Sequence, residues 1–333
     1  MDPRLDRDQG LISPKLRERL VVPPNAGRSR SHPSLLVETM TTTLDSPRRK
    51  ASAYLYRKPR LRLSILLSAP MLWLGLAYLG ALAALFVTAF WTTDVFTGQV
   101  VTEWSLDNFA TLFSDAVYRT ITLRTVGIAA LVTVITAIIA FPMAFYMAKF
   151  ASPRARRLLV IAVMTPLWAS YLVKAYAWRT MLSGNGVLHW LLNPFGLDTP
   201  GYGVLATVIT LSYLWLPYMI LPIYAGLERL PNSLVDASGD LGARPFRTFR
   251  SVVLPVTFPA VVAGSIFTFS LSLGDYIAVK IVGGTSQMLG NVVYDNIGAA
   301  NNLPFAATVA TVPVVIMLAY LAAVRRTGAL DNL

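Results

Sequence analysis

Six stretches of this sequence are almost unbroken in apolar character, at about residues 65–91, 121–148, 158–182, 203–226, 256–282 and 304–324. A helix rising 1.5 Å per residue needs about 20 residues to cross a hydrocarbon core ~30 Å thick, and each stretch meets that length. The pattern predicts an all-α, polytopic membrane protein with six transmembrane helices.

The polar segments between the spans orient them. Lys149, Arg154, Arg156 and Arg157 follow span two, Arg244, Arg247 and Arg250 follow span four, and Arg325 and Arg326 follow span six. The opposite loops carry Asp94, Glu103, Asp107, Asp198 and Asp295, with few basic residues before Arg119 and Arg124. Positive charge accumulates on the cytoplasmic side, so both termini are predicted to be cytoplasmic. Trp91, Trp104, Trp190 and Tyr202 fall near the outer boundaries, where amphipathic rings favour the headgroup layer. In the first outer loop Ser105 is the expected cap of a short surface helix, which either supports a docked extracellular protein or packs on its own bundle.

Composition agrees with a membrane class: 55% of residues are hydrophobic and 14% charged, against roughly 25% charged in soluble domains. A net charge of +12 would point to nucleic acid in a soluble protein. Here much of the excess sits in Arg48, Arg49, Lys50, Arg57, Lys58, Arg60 and Arg62, a flank that holds the N-terminus inside and can touch anionic lipid. Residues 1–62, rich in Pro, Ser and Arg without a helical or strand period, read as a disordered cytoplasmic tail. The first apolar run exceeds the h-region of a cleavable signal, so it is expected to be retained. Translation from Met40, giving MTTTLDSPRRK, is the alternative to a start at Met1. The remaining divisions are 63–118, the first transmembrane helix and outer loop; 119–325, the transmembrane core; and 326–333, a C-terminal tail.

There is no cysteine, and the only histidines are His32 and His189. Disulfides, thiolate chemistry and a histidine-based metal site are thereby excluded. No Gly-rich loop ending in Lys-Ser or Lys-Thr is present, so any ATP must be bound by another polypeptide.

Between spans four and five lies a charge-rich loop, ERLPNSLVDASGDLGARPFRTFRSVVLP, residues 228–255. Ser233 is expected to cap a short helix through Leu234, Val235, Ala237 and Leu241, with Asp236 in its first turn. Gly242 suits a left-handed stop. A second helix is expected to start at Pro245, with Phe246, Phe249 and Val253 on one side and Arg247 and Arg250 on the other. The result is a rigid elbow offering small, apolar and charged groups to a partner.

Intramembrane ionisable residues are costly and default to functional candidates. The clearest are Asp275 in span five and Lys174 in span three. The carboxylate of Asp275, with the aromatic faces of Trp168, Tyr171, Trp178, Trp215 and Tyr276, could attract a passing ammonium. The alternative is an Asp275–Lys174 ion pair that holds two helices together. Pro142, Pro166, Pro217, Pro222 and Pro259 fall within or at the ends of the spans, and none is assigned an individual hinge role. An intramembrane aspartyl protease, prompted by Asp275 and Asp295, is disfavoured because Asp295 is expected in an outer loop, whereas a proton-sharing pair must meet. A channel lacks a filter signature.

The elbow loop resembles the EAA motif of type I ABC importer permeases, with Asp236 in place of Glu, Ser238 in place of the second Ala, and Gly242 and Leu254-Pro255 as expected. Phe141 through Lys149 is similar to that family's helix ending, and Pro166-Leu167-Trp168, Lys174 through Trp178, Leu273-Gly274-Asp275-Tyr276, Gly283-Gly284, Leu289 through Val293 and Leu303 through Ala307 are similar to its spermidine/putrescine branch. Val279 and Lys280 depart from it where a proline is expected. The resemblance implies a non-catalytic permease subunit in a bacterial cell membrane, forming half of a polyamine pathway; amino acids, opines and ferric ion are the alternative cargoes. It also implies cytoplasmic ATPase subunits holding ATP and Mg, a second permease subunit that is either identical or different, and an extracellular or periplasmic solute-binding protein. Coupling to the ATPase would fall to Asp236, Ala237, Ser238, Asp240, Leu241, Gly242, Ala243, Phe246 and Arg247, and the motion would be rigid-body alternating access.

Overall fold

The computed structural model describes residues 59–94 and 96–326. The expectations of a disordered tail, of a start at Met40 and of a C-terminal tail beyond Arg326 lie outside those residues. The chain divides into two units, 1–75 and 76–333. In the first, α1 (Pro59–Leu74) is apolar and exposes Leu66, Leu72 and Trp73, as a lipid-facing helix does.

The second unit begins in a π-helical turn that leads into α2 (Gly80–Thr88). The outer loop after it contains a two-residue antiparallel ribbon, β1 (Thr92–Thr93) with β2 (Val100–Val101), a small departure from the all-α expectation. It is pinned by Thr93 Oγ1 donating to Asn302 Oδ1 at 3.0 Å and Asn301 Nδ2 to the Gly98 carbonyl at 3.3 Å. The surface helix α3 (Asp107–Ser114) follows, one position later than a Ser105 cap would set it. Ser105 Oγ instead accepts from the Asp107 N–H at 3.0 Å, outside the helix.

The core is built from α4 (Ala116–Phe145, ending in a π turn to Phe150), α8 (Val204–Arg229) and α11 (Leu254–Leu273), with α14 (Leu303–Arg326) against α2 and α11. Buried threonines return their hydroxyls to their own helix, as Thr136 to Val132 at 2.8 Å and Thr268 to Gly264 at 3.0 Å. Such back-bonding lets polar side chains sit where no water reaches. The helices α8 and α11 approach closely because their contact is made of small residues: a Cβ on Gly226 would lie 2.5 Å from that of Ala260, and one on Gly264 2.8 Å from Met219 Sδ.

Two of the six expected spans are not straight helices. Span three is α5 (Pro153–Trp168) and α6 (Tyr171–Leu182), bent by 96° at Ala169–Ser170, both of which are extended. Span five stops at Leu273, and α12 (Ile277–Val282) starts after a non-helical Gly274–Tyr276. Helix α7 (Val187–Leu192) and helix α13 (Leu289–Gly298) lie in the connections beyond. Asp295 therefore sits on a helix, not in an irregular loop. Among the described residues, five helices are long and apolar enough to cross a membrane, six with the bent pair.

Candidate functional site

The elbow is made of α9 (Asn232–Asp240) and α10 (Pro245–Thr248), the latter running through a π turn, Phe249–Val253, into α11. The cap of α9 is Pro231, not Ser233, which is already helical; no side chain caps this end. Proline fits there because its fixed φ, −62°, is ready for entry into a helix and it has no N–H to satisfy. At the far end the chain closes as a Schellman motif: the Gly242 N–H donates to the Gly239 carbonyl at 2.8 Å and the Ala243 N–H to that of Ser238 at 3.1 Å. The motif requires a left-handed residue, and Gly242 supplies it at φ +76°.

Ser238 Oγ and Thr248 Oγ1, 2.9 Å apart, join the two arms. Phe249 packs edge-on to Phe141 and Phe145 of α4, at 5.3 and 6.4 Å between ring centroids, and Val253 is buried. Phe246 does not share that side. It is 74% exposed, and Leu241, at the end of the other arm, is 89% exposed. The helix is only four residues long before the π turn widens it, so the face expected from a regular α-period does not form. Asp236, Ala237, Asp240 and Arg247 are also exposed on the elbow, and Ser238 and Ala243 are half-buried.

Two basic residues, Lys149 and Arg156, given no individual role by the sequence, hold this elbow to the bundle. Lys149 Nζ donates to the Leu230 carbonyl at 2.7 Å and to Asn232 Oδ1 at 3.0 Å. It thereby caps the end of α8 and grips the first residue of α9. Arg156 donates to the Met147 and Ala148 carbonyls at 3.1 and 2.9 Å and lies 3.6 Å from Glu228 Oε1. Carbonyls at a helix end have no intrahelical donor, and these cations provide one.

The membrane-embedded candidates separate into groups. The Tyr171 hydroxyl, at the first residue of α6, donates to Asp275 Oδ2. The other carboxylate oxygen accepts the Ala278 N–H at 2.9 Å, so Asp275 caps α12. Asp275 is 7% exposed, and the Trp215 ring lies 6.0 Å from that of Tyr171, with its own Nε1 buried and unpartnered. Tyr218 continues the aromatic series at 5.9 Å.

The remaining candidates do not join the Tyr171–Asp275 contact. Among the described residues no ion pair joins Lys174 to Asp275, because Tyr171 takes the position opposite the carboxylate. Trp178 packs on Tyr213, Trp168 is 90% exposed, and Tyr276 turns outward to stack on Tyr294 at 4.9 Å. The paired ammonium is Lys280, with Nζ 2.6 Å from Asp295 Oδ1 and 4.1 Å from the Tyr294 ring centroid. Its signal was a lone lysine in an apolar run, and the partner fifteen residues later has no periodic relation to it.

Apolar helices that enclose a broken-helix site, joined to an elbow whose apolar tips are exposed, define the membrane subunit of a type I ABC importer. Residues 129–326 match the family of binding-protein-dependent transport system inner membrane components, and the chain belongs to that family. It is a non-catalytic, multi-pass subunit of the bacterial inner membrane. The inner membrane ABC transporter permease protein YdcU of Escherichia coli K12 is 46% identical over 87% of this chain and 98% of its own length. The spermidine/putrescine transport system permease protein PotB of Haemophilus influenzae is 32% identical over 62% and 73%. The crystal structure of a bacterial ABC transporter involved in the import of the acidic polysaccharide alginate shares the fold, with a TM-score of 0.60 at 17% identity over 83% of this chain and 99% of that one.

Proposed function

We propose that this chain forms half of the membrane pathway of an ATP-driven polyamine importer, with both termini cytoplasmic and the elbow at 228–255 as its contact with the ATPase. The observation that carries this reading is the pair of apolar tips, Leu241 and Phe246, held out at a turn that Gly242 and the Ser238–Thr248 contact make rigid. Exposed apolar groups on a rigid elbow that also exposes Asp236, Asp240 and Arg247 are suited to a groove on a partner, with charge setting the register. ATP and Mg would be bound by that partner, a second permease would complete the pathway, and a solute-binding protein would deliver cargo from outside.

Cationic cargo is supported by the Asp275 carboxylate beside the Tyr171 and Trp215 rings, and by the likeness to PotB. An ammonium passing these groups gains Coulombic and cation–π attraction, about 0.5–2 kcal/mol for the latter. Binding of that order is weak enough to let cargo leave. Radiolabelled spermidine uptake by the assembled importer tests this. Uptake should be competed by putrescine and not by amino acids or ferric ion, and Asp275→Asn should lower it at least tenfold. Transport of an amino acid or ferric ion instead, with spermidine excluded, would overturn the cargo assignment. Cysteines placed at Leu241 and Phe246 should crosslink to an ATPase subunit, and failure at both would overturn the contact.

A further inference from the structure

We infer that Asp295, Tyr294 and Tyr276 form an outer receiving site for an alkylammonium, and that Lys280 is its built-in occupant. The Lys280 ammonium donates to Asp295 and sits over the Tyr294 ring, which is backed by Tyr276 at 4.9 Å and 20° between ring planes. A carboxylate on one side and an aromatic face on another are what a free primary ammonium would use. Lys280 reaches them on a tether of four methylenes rising from α12, whereas Tyr294 and Asp295 are neighbours on α13.

The occupant can leave at little cost. The Lys280 and Asp295 side chains are 48% and 39% exposed, and an ion pair so open to solvent contributes about 0–1 kcal/mol. When Lys280 swings away, a second ammonium can take the same two partners. The backbone behind the backing ring, by contrast, is held: Asn291 Nδ2 donates to the Tyr276 carbonyl at 3.0 Å, fastening the segment that carries it. Tyr276 is also the residue after Asp275, so the outer site adjoins the inner carboxylate through one peptide. A cation released outside would be received at Asp295 before it meets Asp275, and Lys280 would refill the site behind it.

This inference rests on the cationic-cargo reading, so its test does not depend on transport. Equilibrium binding of radiolabelled 1,4-diaminobutane is measured on the assembled permease–ATPase complex, without binding protein or nucleotide. Lys280→Met should tighten binding up to about fivefold, the equivalent of removing a competing pair of ~1 kcal/mol. Asp295→Asn should weaken it at least fivefold. Tyr294→Leu, which leaves the ion pair in place, should weaken it about two- to fivefold. An ion pair that only stitches α12 to α13 predicts otherwise: the Lys280 and Asp295 variants would shift binding in the same direction, and Tyr294→Leu would leave it alone. Either result overturns the inference. Should the variants divide as stated while the wild-type importer takes up no polyamine, the receiving site stands and the cargo assignment falls.

Discussion

Gly242 concentrates the elbow's geometry in one backbone angle. An added Cβ there would touch nothing, so a side chain is opposed only by the left-handed conformation at φ +76°. For a β-branched residue that strain is about 1–3 kcal/mol. Gly242→Val should therefore insert and assemble normally yet lose uptake and transport-coupled ATPase activity, whereas Gly242→Asn, which tolerates the region, should retain a substantial part of both. Equal uptake by the valine variant and wild type would remove the rigid turn from the coupling. This glycine was legible because it follows a polar helical stretch and precedes Pro245 by three residues, a pattern of stop and restart. The partner of Asp275 was not. Tyr171 and Lys174 lie one turn apart on the same helix, and electrostatics alone favours the lysine. What decides for tyrosine is the sharp bend at Ala169–Ser170, which brings the first residue of α6 to the carboxylate, and an apolar sequence window carries no mark of such a bend.

Among the elements, the join between α4, α8 and α9 is one of the places where the elbow is fastened to the bundle. The Leu230 carbonyl is at the end of α8, its residue is 3% exposed, and Lys149 is its donor. Removing that donor leaves a buried acceptor unpaired, at a cost of about 1–3 kcal/mol. We expect Lys149→Met to keep the complex assembled and hydrolysing ATP, but to lower the cargo moved per ATP severalfold, because the elbow is no longer gripped at Asn232. Lys149→Arg, which keeps a donor, should recover part of the ratio. An unaltered ratio in the methionine variant would make Lys149 a packing residue without a part in transmission. Element existence was readable here from the length of each apolar run, and element continuity was not. Hydropathy reports whether a residue tolerates lipid, and Ala169, Ser170 and Gly274 tolerate it equally well inside a helix or outside one. Helix α13 was hidden for a different reason: it is short, and its start is capped from places that show no cap signal in sequence, Asn291 inside the helix accepting from Met288 N at 3.2 Å and Thr125 of α4 accepting from Leu289 N at 3.0 Å.

For the whole molecule, the family and the membrane class follow from features spread over most of the chain, whereas the direction in which it is threaded is an expectation from charge alone. The basic residues after spans two and four, among them Arg154, Arg156, Arg157, Arg244 and Arg247, share an end of the bundle with the elbow, and the β1–β2 ribbon lies in the loop at the other end. If positive charge stays inside, Leu241 faces the cytoplasm and Phe96 faces outward. The absence of cysteine makes this directly measurable, since a single introduced thiol is the only one in the chain. Both positions are open to reagent, at 89% and 98% exposure. A membrane-impermeant maleimide should label Phe96→Cys in right-side-out vesicles and Leu241→Cys only in inverted ones. Adding the partner ATPase to inverted vesicles should then protect Leu241→Cys and leave Arg326→Cys, at the end of α14, as reactive as before. Labelling of Leu241→Cys from outside would reverse the threading, and with it the side from which a motor could reach the elbow.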